Sequence, residues 1–313
     1  MGATLVVLGS WLVVGLVGAI TLTQALGWTG SRLIAVAQAL TPYLAVAVVA
    51  VALLALRHGR LTLVTAATAV AFGIAVLGTP LAVPDRQPPA APNSSGLDVA
   101  AMNLWYQNVR VDDIGDALAD VDADVIVFTE YTPEHEAVLL SGPLATGYEH
   151  RYGTSGPRAD GIVAWSRFPL RAGGADVVPR GLDLIVDGPD GDIRIVAMHL
   201  MTPIDDFTAW REGLSTAADI GRSTDEPTLL IGDLNSSYWH PDFRGLLDAG
   251  WVDANAATGS GFSTSWPTNW WVPPFVRLDH ALTAGDLVAT SVDDLDVPGS
   301  DHRGLMVSVA PTR

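Results

Sequence analysis

The sequence predicts an α/β protein in two parts, an apolar N-terminal anchor and a soluble domain built on mixed β-structure. Residues 1–83 consist almost entirely of Ala, Val, Leu, Gly and Thr, a composition typical of membrane helices. From residue 97 onward, strand-like apolar runs and helical patterns mix without the strict alternation of a parallel α/β fold. That pattern favours a mixed sheet or two packed sheets. A proline-rich stretch, taken as the linker 84–96, separates the anchor from the domain 97–313.

Three apolar stretches in the anchor are each close to the ~20 residues that cross a hydrocarbon core. They are Leu5–Leu26, Leu33–Leu56 and Leu61–Leu81. A cleaved signal peptide is the alternative for the first stretch. It lacks the basic leader of a signal peptide, however, and two more apolar stretches follow it. The sequence therefore predicts three transmembrane helices.

The arginines of the two breaks between these stretches predict the orientation in the membrane. Arg57 and Arg60 lie in the second break and only Arg32 in the first. Because basic loops stay on the cytoplasmic side, the second break is expected inside the cell. A multi-pass membrane protein with its soluble domain outside the cytoplasm follows.

The elements of the soluble domain are predicted in order from apolar runs of strand length and from helical periodicity between turn residues. Expected strands are Leu97–Trp105, Asp124–Thr129, Gly161–Trp165, Leu182–Val186, Ile193–His199, Thr228–Ile231, Val276–Leu282, Leu287–Val292 and Leu305–Val309. Expected helices are Asp112–Asp120, Pro133–Leu140, Asp205–Gly221 and Asp242–Asp248.

Composition excludes some functions and disfavours others. The chain has no cysteine, so disulfides, zinc–thiolate sites and thiol catalysis are excluded. Its net charge is −17, and residues 87–313 hold 13 arginines against 33 acids. A field of that sign repels polyanions and opposes the electrostatic attraction that dominates nonspecific DNA binding.

Polar residues follow or end most of the predicted strands. They occur in six motifs: MNLWYQN with Asn103, VIVFTE with Glu130, VAMHL with His199, LIGDLN with Asp233 and Asn235, VRLDH with Asp279, and GSDHRG with Asp301 and His302. Carboxylates, amides and imidazoles gathered at the edge of a sheet suit a divalent cation, a phosphate and an activated water.

Each motif taken alone also has a structural explanation. Asp233 and Asn235 lie two residues apart, so both can reach one phosphate, but Asp and Asn also form turns after strands. Asn103 is unusual inside a strand, unless it lies at an edge. His199 could be a satisfied core histidine, whereas Glu130 at the end of an apolar strand requires a partner. Asp279 could orient the imidazole of a nearby histidine by accepting its N–H.

The order of the motifs along the chain is more specific for a protein family than any one motif. Asn, Glu, His, GDxN, RxDH and SDH in this succession resemble the endonuclease/exonuclease/phosphatase superfamily, which includes DNase I-like nucleases, sphingomyelinases and inositol polyphosphate 5-phosphatases. The resemblance covers about Asp98–Val309, and the segment Asp160–Leu170 fits as well. It implies a four-layer sandwich of two mixed β-sheets packed face to face and flanked by helices.

The resemblance also implies a metal site and catalytic roles. Glu130 would be the principal ligand of Mg²⁺, with Mn²⁺ as a substitute, and Asn103 and Asp301 would complete the metal site. His302 would act as general base or orient the water, held by Asp279. Three further residues would act on the water and the phosphate. Asp233 would align the attacking water, and Asn235 would bind the phosphate. His199 would stabilise the phosphorus or the leaving oxygen.

These expectations lead to three hypotheses. The first is a membrane-anchored, Mg²⁺-dependent phosphodiesterase or phosphatase acting on a lipid-linked, small-molecule or nucleic-acid phosphoester. The second is an extracytoplasmic nuclease acting on DNA or RNA, and the third a catalytically inactive, membrane-bound binding module. Trp266, Trp270 and Trp271 form an aromatic loop that could be a substrate lip, a membrane contact or ordinary loop packing. No motif indicates a protein partner.

Overall fold

The computed structural model describes residues 2–83, 87–119, 121–174 and 177–313. The first three residues of the predicted linker, 84–86, and Asp120 at the end of a predicted helix lie outside the described residues.

The described chain contains eleven helices and twelve strands. The helices are α1 (Gly2–Ala25), α2 (Arg32–Ala39), α3 (Thr41–Arg57), α4 (Leu61–Leu77), α5 (Thr79–Ala82), α6 (Val111–Ala119), α7 (Pro133–Ser141), α8 (Leu144–Gly147), α9 (Phe207–Ser223), α10 (Pro241–Asp248) and α11 (Ala254–Ala257). The strands are β1 (Leu97–Asn103), β2 (Val125–Thr129), β3 (His150–Thr154), β4 (Ile162–Ser166), β5 (Leu170–Ala172), β6 (Gly181–Gly188), β7 (Gly191–His199), β8 (Thr228–Asp233), β9 (Val252–Asp253), β10 (Asp279–Ala284), β11 (Leu287–Leu295) and β12 (Gly304–Pro311).

The strands form two six-stranded sheets, with the orders β11-β12-β1-β2-β4-β3 and β5-β6-β7-β8-β10-β9. Each sheet is mixed: β1 pairs with β2 and β7 with β8 in parallel, and the other pairs are antiparallel. The expectation of two mixed sheets with flanking helices is confirmed.

Three apolar clusters account for the layering. The apolar core between the two sheets includes Val99 and Val127 from the first sheet and Ile195 and Ile231 from the second. A second cluster on the outer face of the first sheet packs against α6, α7 and α8. On the outer face of the second sheet, a third cluster packs α9 and α10 and continues into the N-terminal helices. Each sheet thus buries both of its faces, as expected for the continuous apolar runs seen in the sequence.

Sequence patterns missed three strands and misplaced a strand boundary. The missed strands are β3, β5 and β9, which are short edge strands or are only partly buried, so that no apolar run marks them. The predicted strand Val276–Leu282 begins at Asp279 instead, where its register with β8 begins.

The N-terminal segment is helical, but the prediction of three similar membrane spans is not supported. Among the described helices, only the segment Thr4–Ala25 is by itself long and apolar enough to cross a membrane, with a mean hydropathy of 2.4. The second apolar stretch is broken between Ala39 and Thr41 into α2 and α3, whose axes differ by 68°. The third forms α4, which has 17 residues. Pro42 at the start of α3 explains the break, because its ring prevents α2 from continuing as one straight helix.

The N-terminal helices also pack directly on the part of the chain that contains the two sheets. Arg244 donates to the carbonyl of Gln24 at 2.7 Å, and the Tyr238 hydroxyl donates to the carbonyl of Leu77 at 2.9 Å. Val48 and Ile74 belong to the same buried cluster as residues of α9 and α10. The N-terminal helices and the two sheets with their flanking helices therefore form one packed unit.

Candidate active site

Four of the sequence-predicted site residues come together because two parallel strand pairs end at the same place. In the first sheet Asn103 lies at the last position of β1, and Glu130 directly follows β2. In the second sheet His199 ends β7 opposite Asp233, which ends β8. Since parallel strands carry their carboxyl ends at one edge, the face-to-face packing of the sheets brings these four side chains together.

Antiparallel strands bring the remaining residues to the same edge. The first residue of β10, Asp279, pairs with Asp233. Asp301 and His302 come just before β12, which runs antiparallel to β1. The beginnings of β10 and β12 therefore lie beside the ends of β8 and β1.

Asn103 links the two sheets at the centre of the site. Its amide nitrogen donates to Glu130 Oε1 at 3.1 Å and to Asp233 Oδ2 at 3.0 Å. Its amide oxygen accepts from the backbone N–H of Trp105 at 2.9 Å. The side chain is 1% exposed on a central strand, which rules out the edge position considered for it. Asn is present here because it hydrogen-bonds two carboxylates that belong to different sheets.

Glu130 is held in an unusual conformation. Its φ is +54°, in the left-handed region that non-glycine residues rarely adopt, and its Oε2 accepts from the N–H of Tyr106 at 2.8 Å. Burial raises the pKa of Glu130, and the neighbouring Asp301 adds to the rise. Backbone strain of this kind persists where the surrounding structure imposes it and is frequent at functional sites.

His302 and Asp279 form a buried pair. His302 Nδ1 lies 2.8 Å from Asp279 Oδ2, and its Nε2 lies 3.8 Å from Asp233 Oδ2. Burial lowers the pKa of His302, but the carboxylates of Asp279, Asp233 and Asp301 outweigh burial and raise that pKa to about 10. His302 is accordingly a cation whose Nε2–H points toward the cavity.

Asp233 is fully buried among these groups. Burial raises the pKa of Asp233 to about 6, although His302 and His199 act in the opposite direction. Its Oδ1 accepts from the N–H of Asn235 at 2.9 Å. This carboxylate is therefore more basic than an exposed aspartate.

His199 and Asn235 complete the floor of the cavity. His199 Nδ1 is 3.2 Å from the carbonyl of Ala159, so Nδ1 carries the proton, and Nε2 lies 3.7 Å from both Glu130 and Asp233. Burial lowers the pKa of His199, which leaves a neutral imidazole. The amide of Asn235 donates to the carbonyl of Leu200 at 2.8 Å, which fixes its orientation.

These side chains surround a single cavity of about 880 Å³, a size typical of small-molecule sites. Six of the eight sequence-predicted residues line it: Glu130, His199, Asp233, Asn235, Asp301 and His302. The other two, Asn103 and Asp279, hold the lining residues from behind. The structure thus brings all eight together.

Two clusters of residues at the cavity could hold a cation. One is Asp233, Asp279 and His302, whose ligand atoms lie within 4.8 Å of one another. The other is Glu130, whose Oε1 accepts from the amide of Asn103 and whose pKa is raised in part by the neighbouring Asp301. The first group fits a cation less well, because Asp279 is already paired with His302 and a protonated imidazole cannot be a ligand. The second offers oxygen ligands of the kind that Mg²⁺ prefers.

Sequence reasoning missed several residues that position the site. The Ser300 hydroxyl donates to the carbonyl of Asn103 at 2.7 Å and accepts from the N–H of His302. The Ser265 hydroxyl accepts from the N–H of Asp279 at 3.2 Å. For Ser300 the SDH motif itself was a signal. For Ser265, whose partner lies 14 residues away, no local pattern existed.

Other histidine and arginine side chains of the domain lie mostly outside the cavity. His280 is fully buried, with Nε2 2.7 Å from the carbonyl of Ser236, and its role is structural. Arg151 stacks on Trp165 and Arg167 pairs with Asp122. Arg158, by contrast, lines the cavity.

Comparison with solved structures shows the same fold elsewhere. The chain is similar to humanized D. rerio TDP2 with 14 mutations, at a TM-score of 0.57 and 15% identity over 69% of this chain and 99% of that one. It is also similar to a variant of the Neisseria 3' phosphatase NExo bound to a product DNA hairpin, at 0.51 and 18% over 67% and 98%. A functionally unknown conserved protein from Enterococcus faecalis V583 matches at 0.54 and 14% over 69% and 100%. No curated protein sequence matches this chain significantly.

A sequence model of the endonuclease/exonuclease/phosphatase family matches residues 100–302, which include all eight site residues. The match extends over more than half of the chain, from β1 to the SDH motif. The chain therefore belongs to the endonuclease/exonuclease/phosphatase family and is a metal-dependent hydrolase of phosphoester bonds.

Proposed function

We propose that this protein is a membrane-anchored, Mg²⁺-dependent phosphoester hydrolase in which water attacks phosphorus in line with the leaving oxygen. The observation that carries this proposal is the convergence of three carboxylates and a charged Asp279–His302 pair on one cavity. Carboxylates at such short range, two of them with a raised pKa, repel one another, and a divalent cation would offset that repulsion.

The metal ligands in this proposal are Glu130 and Asp301, with Asn103 completing the site directly or through water. Mn²⁺ accepts the same oxygen ligands and should substitute for Mg²⁺. When bound, the cation neutralises charge on the phosphoryl group and on the leaving oxygen. Asn103 also keeps Glu130 and Asp233 apart by donating to both.

The proton of the attacking water goes to Asp233. This carboxylate has a pKa of about 6 and faces the cavity, so it can accept a proton near neutral pH. As the water oxygen forms its bond to phosphorus, the ester P–O bond breaks and its electron pair stays on the leaving oxygen. The products are a phosphate with one ester bond fewer and an alcohol, which takes up a proton from solvent.

His302 stabilises the phosphoryl oxygens in this scheme and is not the general base. Its Nδ1–H is donated to Asp279, and its Nε2–H remains available to an oxygen in the cavity. An imidazolium cannot accept a further proton, so the general base is assigned to Asp233. Asn235 binds the phosphate through its second amide N–H. His199, with Nε2 unprotonated, accepts a hydrogen bond from the water and so helps to position it.

The division into an anchor (1–83), a linker (84–96) and a catalytic domain (97–313) is part of the proposal. Most of the exposed large apolar side chains lie in the anchor; examples are Leu12 (63% exposed), Leu53 (64%) and Phe72 (69%). Apolar surface of this extent is typical of a membrane contact. The window of α1 with the highest hydropathy is only 11% buried, unlike the core helix of a soluble protein.

The orientation with the catalytic domain outside the cytoplasm rests on Arg57 and Arg60 against Arg32. A reporter fused after Arg313 that is active only outside the cytoplasm tests this orientation. The expected result is reporter activity at the cell surface. Activity of a cytoplasm-only reporter at the same position would reverse the assignment, and release of the protein from the membrane would assign α1 as a signal sequence.

A nuclease is the second candidate, because the similar Neisseria structure holds a product DNA hairpin. The acidic charge of this domain opposes it, since phosphate contacts dominate nucleic-acid affinity. The third hypothesis, an inactive binding module, would be favoured by loss of a site residue, but all eight are present in the cavity or directly behind it.

The full chain in nanodiscs should be assayed with plasmid DNA, RNA, sphingomyelin, phosphoinositides and a generic bis-ester, with and without MgCl₂. We expect Mg²⁺-dependent turnover of a non-nucleic-acid ester and its loss in Asp233→Asn and His302→Ala. Turnover without a divalent cation, or full activity in both variants, would refute the mechanism. Degradation of DNA alone would establish the nuclease.

A further inference from the structure

One wall of the active-site cavity is made by the N-terminal helices. Val36 and Ala39 of α2 and Leu40 before α3 line the same cavity as Glu130 and His302. A single ligand can therefore contact the catalytic carboxylates at one end and apolar anchor residues at the other.

The anchor wall is held in place by specific contacts. The carbonyl of Ala35 on α2 accepts from His240 Nε2 at 2.9 Å, and both groups are buried. Tyr43 on α3 donates to the carbonyl of Phe275 at 2.9 Å, and the rings of these two residues meet edge to face. These contacts fix α2 and α3 in position, so the wall is a permanent part of the cavity.

The aromatic loop lies between this wall and Asp301, one of the proposed metal ligands. Trp266 packs against Phe275, and its indole N–H donates to Asp301 Oδ2 at 3.3 Å. In the same loop Trp270 and Trp271 are 56% and 94% exposed. Tryptophan favours the boundary between water and lipid, so the loop extends the apolar surface of the anchor beside the mouth of the cavity.

We infer that the substrate is a membrane lipid phosphoester, which reaches the site from the same bilayer that holds the anchor. Its phosphate would lie among Glu130, Asp233 and His302, and its hydrocarbon chain would lie along Val36, Ala39 and Leu40 toward the lipid. This inference rests on the proposed function and adds the class of substrate to it.

Charge and location both favour this occupant. The acidic domain repels polyanions, whereas a lipid phosphodiester carries a single negative charge on its phosphate and is already concentrated in the bilayer. A water-soluble ester would make no use of the apolar wall, which would then be exposed to water beside the catalytic groups.

The experiment uses the full chain in nanodiscs with Mg²⁺ and two chromogenic diesters that differ only in chain length, hexadecyl 4-nitrophenyl phosphate and ethyl 4-nitrophenyl phosphate. We expect kcat/KM to be at least ~100-fold higher for the hexadecyl ester. Each methylene transferred from water to an apolar surface raises the affinity by a factor of about 4, so contact of only a few methylenes with the wall gives this difference. The quantity compared between variants is the ratio of the two kcat/KM values.

Val36→Asp places a charge in the wall, and Leu33→Asp places the same charge on the same helix at an exposed position that does not line the cavity. We expect Val36→Asp to lower the chain-length preference about 10-fold and Leu33→Asp to keep it. A hexadecyl phosphate with a diazirine in its chain should crosslink to the peptide containing Val36 and Leu40.

Different results would contradict the lipid substrate and the proposed hydrolase activity. Equal kcat/KM for the two esters, an unchanged preference in Val36→Asp, or crosslinking only outside residues 33–43 would overturn the lipid inference while the hydrolase remains. If neither ester is hydrolysed and the DNA and RNA of the panel are, the lipid inference fails and the enzyme is a nuclease. If no phosphoester is hydrolysed at all, the proposed function fails and the lipid inference fails with it.

Discussion

His302 Nδ1 lies 2.8 Å from Asp279 Oδ2, and both side chains are buried at the junction of the two sheets. The two residues are 23 positions apart and come from different sheets, since Asp279 begins β10 and His302 precedes β12. Their pairing exists only when the sheets pack face to face. The charge of His302 is thus a property of the assembled sandwich.

Asp279→Asn should abolish most of the activity without unfolding the protein. An amide cannot stabilise the imidazolium, so His302 would lose its proton near neutral pH or turn its ring. We expect kcat to fall by ~10²–10⁴-fold, with the thermal transition little changed. Asp296→Asn, at an exposed carboxylate, is the control and should retain full activity. Wild-type kcat in Asp279→Asn would contradict a catalytic role for the pair.

Glu130→Gln should change the response of the protein to Mg²⁺. In the absence of the cation, this variant should be more stable than the wild type, because it removes a buried carboxylate whose pKa is raised by burial. Saturating MgCl₂ should stabilise the wild type by about 2.7 kcal/mol at 100 times its Kd, and should not stabilise the variant.

Differential scanning fluorimetry in detergent, with and without MgCl₂, measures both effects of Glu130→Gln. Glu134→Gln on the neighbouring helix α7, at an exposed position, should respond to Mg²⁺ like the wild type. Equal stabilisation of wild type and Glu130→Gln by MgCl₂ would remove Glu130 from the metal site.

His240 should make the stability of the protein depend on pH. Burial lowers the pKa of His240 to about 4, below its unfolded value of ~6.5, so the unfolded chain binds the extra proton first as the pH falls. The stabilising contribution is complete above pH ~6.5 and is lost as the pH falls toward about 4, by roughly 3 kcal/mol in all. Protonation of Nδ1 would break its hydrogen bond from the N–H of Ser237.

Thermal unfolding between pH 4 and pH 7.5 measures this dependence. His240→Gln should have a shallower slope than the wild type, because Gln does not titrate. His150→Gln on strand β3 is the matched control. Identical slopes for the wild type and His240→Gln would show that the buried His240 does not titrate in this range.

Gly261→Ala should loosen the docking of the anchor on the domain. A Cβ at this position would clash with the carbonyl oxygen of Leu81, so α5 or the loop must move. We expect a destabilisation of about 1–3 kcal/mol and faster proteolysis near residues 87–96. In Gly245→Ala the new Cβ meets nothing within 4 Å, and because Gly245 lies in α10 this variant should be as stable as the wild type or slightly more stable. Equal stability of the two variants would contradict the docking.

The sequence by itself singled out eight residues that the structure brings to one cavity, and most of the strands that carry them. Asn103, Glu130, His199 and Asp233 stand at or just after apolar runs, and the alternation of buried strands and turns is a local property that periodicity reveals. The edge strands β3, β5 and β9 were not predicted, because their burial is slight and no local pattern marks them.

Only the tertiary structure decided what the residues do to one another. Asn103 was compatible with an edge position in the sequence, yet it bridges two sheets. The pKa of His302 is raised because Asp279 and Asp233, from distant segments, join its chain neighbour Asp301 around the imidazole. The break before Thr41 likewise separates the second apolar stretch into two helices, and residues Val36, Ala39 and Leu40 at this break line the cavity. Charge, pKa and pocket shape depend on distances between segments far apart in the chain, and folding alone sets those distances.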